Sequence, residues 1–195
     1  MPFQNWQDTL VNSKVAGPTL TTSTSPTSLL NVQEKYPMPA AFFYVGRQLR
    51  ITLAGQLSNI VTTPGTLTLD VRMGPTSNIV VFNGGAMQMS STAHTTLPFF
   101  CQILLTCRAV GTSTSSNLMG QGHITAQSLS LTAVADSTTT PATLLMPNTT
   151  PAVGTGFDYS VAMIVDIFGT FSISNAGNNI TVQQYTLEDL GRPTI

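Results

Sequence analysis

Charge is scarce in this 195-residue chain: Asp, Glu, Lys and Arg supply 8% of it, against about 25% in an ordinary soluble protein. The formal net charge is −1 and no basic cluster occurs. The electrostatic term that dominates nucleic-acid binding is therefore missing, and no DNA or RNA partner is expected. Long apolar runs are missing too. A transmembrane helix needs about eighteen continuous apolar residues, whereas stretches such as Leu97 to Leu105 are shorter and interrupted, here by Gln102, so no membrane partner is expected. The opening Met1-Pro2-Phe3-Gln4-Asn5-Trp6-Gln7-Asp8 has neither a basic n-region nor an apolar h-region and does not read as a secretory signal.

Cysteine occurs twice, at Cys101 and Cys107. Six positions apart in what reads as one strand, the two share a face with Cα atoms roughly 20 Å apart, beyond the about 7 Å that a disulfide spans. Two buried core thiols are expected, and with them folding in a reducing cell.

Catalytic signatures are lacking as well: there is no Walker-type loop, dinucleotide fingerprint, paired-Cys zinc spacing or nucleophile elbow. His94 and His123, the two imidazoles, have no ligand-type residue at metal spacing and read as solvated or structural. Asp158 and Asp166 flank Ser160 with no His in the same run, so a hydrolytic triad would need a tertiary accident. Successive strand positions would turn Glu188 and Asp189 apart, a poor start for general acid–base work. No catalytic residue, cofactor or metal site is assigned. The acceptor patterns Asn148-Thr149-Thr150 and Asn179-Ile180-Thr181 arise often by chance in so Thr-rich a chain and are idle without secretion.

What is present is hydroxyl and alternation. The chain holds 31 Thr and 17 Ser at a mean hydropathy of +0.20, an awkward surface for a free monomer that burial in an assembly would relieve. Leu49, Ile51, Leu53 and Leu57 alternate with Arg50, Thr52, Gln56 and Ser58, a strand signal. Leu67, Leu69, Val71 and Met73 alternate with Thr68, Asp70 and Arg72. Across the turn signal Thr62-Thr63-Pro64-Gly65 these two are expected to pair, with Asp70 between Arg50 and Arg72 on the wet face. Phe99 to Val110 reads as a strand buried on both faces, followed by a hairpin loop at Gly111 to Asn117 and a Gly-interrupted return from Leu118. Asn83-Gly84-Gly85 marks a tight turn, and Leu144-Leu145-Met146 an edge strand within a long loop. Phe157 to Leu190 reads as a hairpin, its two runs joined by Ser174-Asn175-Ala176-Gly177-Asn178. The best helix candidate is Pro37 to Gly46, one or two turns at most, whose aromatic residues would plug one end of the core.

These patterns predict an all-β fold: an antiparallel β-sandwich of about eight strands with at most one short helix. Residues 1–17 form an N-terminal arm, and 18–195 a single domain. Phe3 and Trp6, aromatic anchors on the arm, are the candidate interface residues.

Several stretches together carry a resemblance. Ala41-Phe42-Phe43-Tyr44-Val45-Gly46-Arg47-Gln48-Leu49-Arg50-Ile51 joins a Phe-rich turn to a Gly and a strand; Pro64-Gly65-Thr66-Leu67-Thr68-Leu69-Asp70-Val71-Arg72 and Val80-Val81-Phe82-Asn83-Gly84-Gly85-Ala86 follow. Gly120-Gln121-Gly122, Ser172 to Asn178 and Gln184-Tyr185-Thr186-Leu187-Glu188-Asp189-Leu190 complete the set. From about Ala41 onward the chain resembles small virion structural proteins of tailed bacteriophages. That resemblance implies a jelly-roll-like domain and a head-decoration (cement) or minor capsid role, with itself as partner in a homotrimer and the major capsid protein as the other. It also implies a place on the outer surface of the head, after synthesis in the host bacterial cytoplasm. The alternative expectation is a tail or fibre module that binds a host-surface ligand such as carbohydrate; a hydrolase is the weakest reading, for want of a triad.

Overall fold

The computed structural model describes residues 7–60, 63–130 and 141–191. In chain order the strands are β1 (Asp8–Asn12), β2 (Leu20–Thr21), β3 (Thr27–Ser28), β4 (Tyr36–Met38), β5 (Gln48–Asn59), β6 (Thr66–Met73) and β7 (Ile79–Asn83). Then come β8 (Met87–Gln88), β9 (His94–Ala109), β10 (Asn117–Ala126), β11 (Ala142–Met146), β12 (Met163–Phe171) and β13 (Asn179–Asp189). They form two antiparallel sheets packed as a jelly-roll-like sandwich. The larger runs β1-β13-β5-β9-β10-β11, with β2 also on β13; the smaller runs β3-β12-β6-β7, with β4 on β12 and β8 on β6.

Alternation places the core. Leu49, Ile51, Leu53 and Leu57 of β5 face Leu67, Leu69, Val71 and Met73 of β6 across the sandwich, all buried, with Phe99 to Cys107 of β9 and Met163 to Phe171 of β12 adding their inward residues. In β13 the inward residues Val182 and Tyr185 are three apart, out of step with a period of two. A bulge between Val182 and Gln184 absorbs the extra residue.

The period shows which side of a strand is wet but not which sheet holds it, and two expected hairpins are corrected on that point. β5 does not pair with β6: it lies between β13 and β9, while β6 lies between β12 and β7. β12 and β13 likewise belong to opposite sheets, so residues 172–178 form an arch spanning the roughly 10 Å between sheets rather than a hairpin turn. Asn83-Gly84-Gly85 is no hairpin turn either, since β7 and β8 lie one after the other along β6. The β9–β10 hairpin does form, and β11 sits on the edge of its sheet.

The helix expected at Pro37 to Gly46 is absent. Residues 36–38 pair with β12 instead, and positive φ at Ala41 (58°) and Gly46 (91°) breaks any helical run. A single 3₁₀ turn, Val32–Glu34, lies just upstream. The aromatic residues still close one end of the core, where the buried Phe43 ring packs 5.3 Å from the Phe157 ring at a tilt of 59°. Two segments close the flanks. Residues 13–38 cross from β13 (Gly17 N donating to Val182 O, 2.7 Å) to β12 (Leu29 N to Ile167 O, 2.8 Å), and residues 147–157 join β10 to β7 through Gly154 N to Leu118 O and Thr155 N to Val80 O, both 2.9 Å.

Candidate interaction surface

Phe3 and Trp6 lie outside the described residues. The described part of the arm begins at Gln7, whose side chain donates to Glu188 at 2.9 Å, and continues as β1 along the edge of β13. Beyond β1, one carboxylate oxygen of buried Glu34 accepts the backbone N–H groups of Lys14 (3.0 Å) and Val15 (3.2 Å).

The histidines are held apart from each other and from Ser160. His94 Nδ1 lies 3.1 Å from Asn59 Oδ1, and the His123 ring, on the outer face of β10, lies 6.4 Å from Phe100. Ser160 donates its hydroxyl to Asp158 at 2.6 Å within a surface turn. That hydrogen bond, with backbone donors from Ser113 and Ser160, holds the Asp158 carboxyl below its ordinary range and makes it a weak base. Among the described residues no group of three or more His, Cys, Asp or Glu is arranged to hold a metal. Cys101 and Cys107 are both free and buried on the inward side of β9, and burial pushes the Cys101 thiol up to about 12.

The carboxylates at Glu188 and Asp189 do turn apart. Asp189 takes the Arg47 guanidinium, which also lies 3.4 Å over the Phe42 ring, while Glu188 takes Arg50 at 2.7 Å on the outer face. Arg50 therefore pairs across to β13 and not with Asp70, as expected from sequence. Asp70 keeps Arg72 alone, at 3.1 Å. It is also buried rather than wet, and burial raises its pKa against the pull of Arg72.

A polar knot forms where residues 28–35 cover β12. Lys35 Nζ sits 2.7 Å from Asp166 Oδ2, and Ser28 donates to Asp166 Oδ1 at 2.8 Å. The fully buried Tyr185 projects its hydroxyl toward this region, with no hydrogen-bond partner among the described residues. Burial first, and then the negative charges of Asp166 and Glu34, push its phenol pKa up.

An apolar patch lies on the outer face of the larger sheet. β9 buries one side only, contrary to the expectation of two: Phe100 and Leu104 point outward, 44% and 41% exposed. Register carries this patch sideways. Phe100 opposes Ala54 of β5 and Thr125 of β10, Gln102 opposes His123, and His123 opposes Leu145 of β11, which is 75% exposed. Elsewhere, a cleft of about 550 Å³ lies between β7 and the 147–155 segment, with Asn83, Thr149, Thr150 and Thr155 among its lining residues.

The chain matches no protein-family model and no curated protein. Any functional reading therefore rests on the sequence resemblance and on these surfaces.

Proposed function

We propose that this protein is a non-enzymatic virion structural protein, a decoration (cement) protein that stabilises a phage head by bridging capsid subunits. The observation that carries the reading is the surface: a closed, nearly charge-free sandwich that leaves Phe100, Leu104 and Leu145 open on one sheet face. The sequence resemblance points the same way. Such a protein works by shape and area. Apolar and hydroxyl-bearing patches on several subunits are covered at once, and many weak contacts add through multivalency. The arm contributes Phe3 and Trp6 as anchors.

The reading is tested by quantifying the protein in purified particles. Many copies per head are expected, with occupancy reduced by the double substitution Phe3→Ser and Trp6→Ser. Absence from particles that contain the major capsid protein would overturn it. The uncharged cleft beside β7, with Asn83 and three threonines in its lining, favours one second reading, a tail or fibre module for a neutral ligand such as carbohydrate. A few copies at the tail tip, together with glycan binding lost in Asn83→Ala, would decide for that alternative.

A further inference from the structure

Two half-buried phenylalanine rings among the described residues are covered by cations. The Arg72 guanidinium lies 4.5 Å from the Phe168 ring on the outside of the smaller sheet, and Arg47 lies 3.4 Å from Phe42 at the end of the core. Phe100 on the larger sheet has only the His123 ring, tilted by 39° at 6.4 Å. Leu104 and Leu145 flank it with a large part of each side chain in solvent. We propose that the outer face of the larger sheet is where copies of this chain meet.

Charge selects the occupant. The outward positions of β9, β10 and β11 are neutral except Arg108 near the end of β9, while Arg50 on β5 is already neutralised by Glu188. A nucleic acid or an anionic surface finds no cation array here. A charged protein surface would bury its own charges against a face that offers no counter-charge, so their desolvation would go uncompensated. A second copy brings a face as uncharged as the first. Gln102, Gln121, Thr125 and Thr143, interleaved with the apolar side chains, supply both donors and acceptors, so the polar groups of two such faces can satisfy each other.

Area fits as well. From β13 to β11 the sheet is five strands wide; with strands about 4.8 Å apart and about ten residues at about 3.3 Å each, the face measures about 24 by 33 Å, or about 800 Å². Even with β11 only five residues long, a face of that extent is comparable with the share of about 800 Å² that each partner buries in a standard-size stable interface.

Sedimentation velocity of the full chain across a dilution series tests the proposal. The expected mass is a multiple of 20.7 kDa, with association weakened at least about tenfold, or about 1.4 kcal/mol, by Leu145→Glu. Leu104→Glu combined with Leu145→Glu is expected to leave a single chain with unchanged circular dichroism. Because Leu145 is so exposed, its single substitution cannot act by unfolding the core. Thr170→Glu, on the outside of the smaller sheet, serves as the control and is expected to leave the mass unchanged. A single-chain mass for the natural protein at every concentration overturns the proposal. So does a Leu145→Glu protein that associates like the parent, or a Thr170→Glu protein disrupted to the same extent. The inference rests on the same exposed face as the virion reading and names its occupant, but the tests separate them: a chain that self-associates through this face but is missing from particles keeps the one and loses the other.

Discussion

Replacing Tyr185 by Phe isolates a single oxygen atom. The ring is fully buried on the inward side of β13, so Phe retains nearly all of its apolar contacts, and only the hydroxyl is lost. That hydroxyl has no hydrogen-bond partner among the described residues, although the buried carboxylates of Asp166 and Glu34 are near enough to act on it electrostatically. Leaving a buried hydroxyl unpaired costs about 1–3 kcal/mol, whereas removing it together with its unmet demand is neutral or stabilising. Tyr185→Phe is therefore expected to gain about 1 kcal/mol or more, a rise in Tm of about 2–4 °C per kcal/mol for a chain of this length. Thermal unfolding followed by circular dichroism, together with the urea midpoint at constant m-value, reads the change. A fall in Tm of similar size would refute the reasoning, because it would mean that the phenol donates to Asp166 or Glu34 and that the knot is a closed network.

Three other perturbations follow from the same geometry. Gly154→Ala would place a Cβ about 1.9 Å from the Val81 carbonyl oxygen where the 147–157 segment crosses to β7, so it is expected to cost at least the 1–3 kcal/mol typical of overpacking; a urea midpoint equal to that of the parent would contradict the close approach. Glu188 has its pKa lowered chiefly by the hydrogen bond from Arg50, so its contribution is complete above the ordinary value of 4.5 and is lost as pH falls through the lower folded value. Glu188→Gln is expected to flatten that part of the Tm–pH curve, whereas Asp70, raised by burial, acts in the opposite sense on acidification; an unchanged acid slope in Glu188→Gln would remove the pair from the account. Cys101, raised to about 12 by burial, is expected to react with a thiol reagent in the folded protein only at the rate of unfolding. Rapid labelling without denaturant would show that β9 opens locally.

How far the residues foretold this architecture depends on which physical signal each part obeys. Period-two patterning of Leu49 to Leu57, Leu67 to Met73 and Val161 to Ile173 locates the core faces, since one buried side is all that alternation encodes, although Val161 and Ile173 at the ends of the third run are exposed because they lie beyond β12. Partnership is encoded elsewhere. A Gly- and Asn-rich link such as 174–178 suits a hairpin and a cross-sheet arch equally, so both β5–β6 and β12–β13 were joined wrongly. The same gap misplaced the partner of Arg50, because Glu188 becomes its neighbour only once β13 lies beside β5. Phe100 and Leu104 read as core for a related reason: an apolar residue facing a partner surface and one facing the interior look alike in a sequence. The helix expectation at Pro37 to Gly46 followed end signals correctly described in isolation. It lost to the hydrogen bonds that residues 36–38 gain on the edge of β12.

The cross-sheet arches also govern the order in which the molecule can be built. β13 lies at the centre of the larger sheet's far half, holding β1, β2 and β5, yet it is the last strand in chain order. Once residue 126 is free the chain can pair β9 with both β5 and β10, but the other edge of β5 and the arm must wait for residues 179–189. Until then β5 presents an unpaired edge, and the arm has no strand on which to lie. Such distant pairings place the protein among slow folders, in the range of milliseconds to seconds.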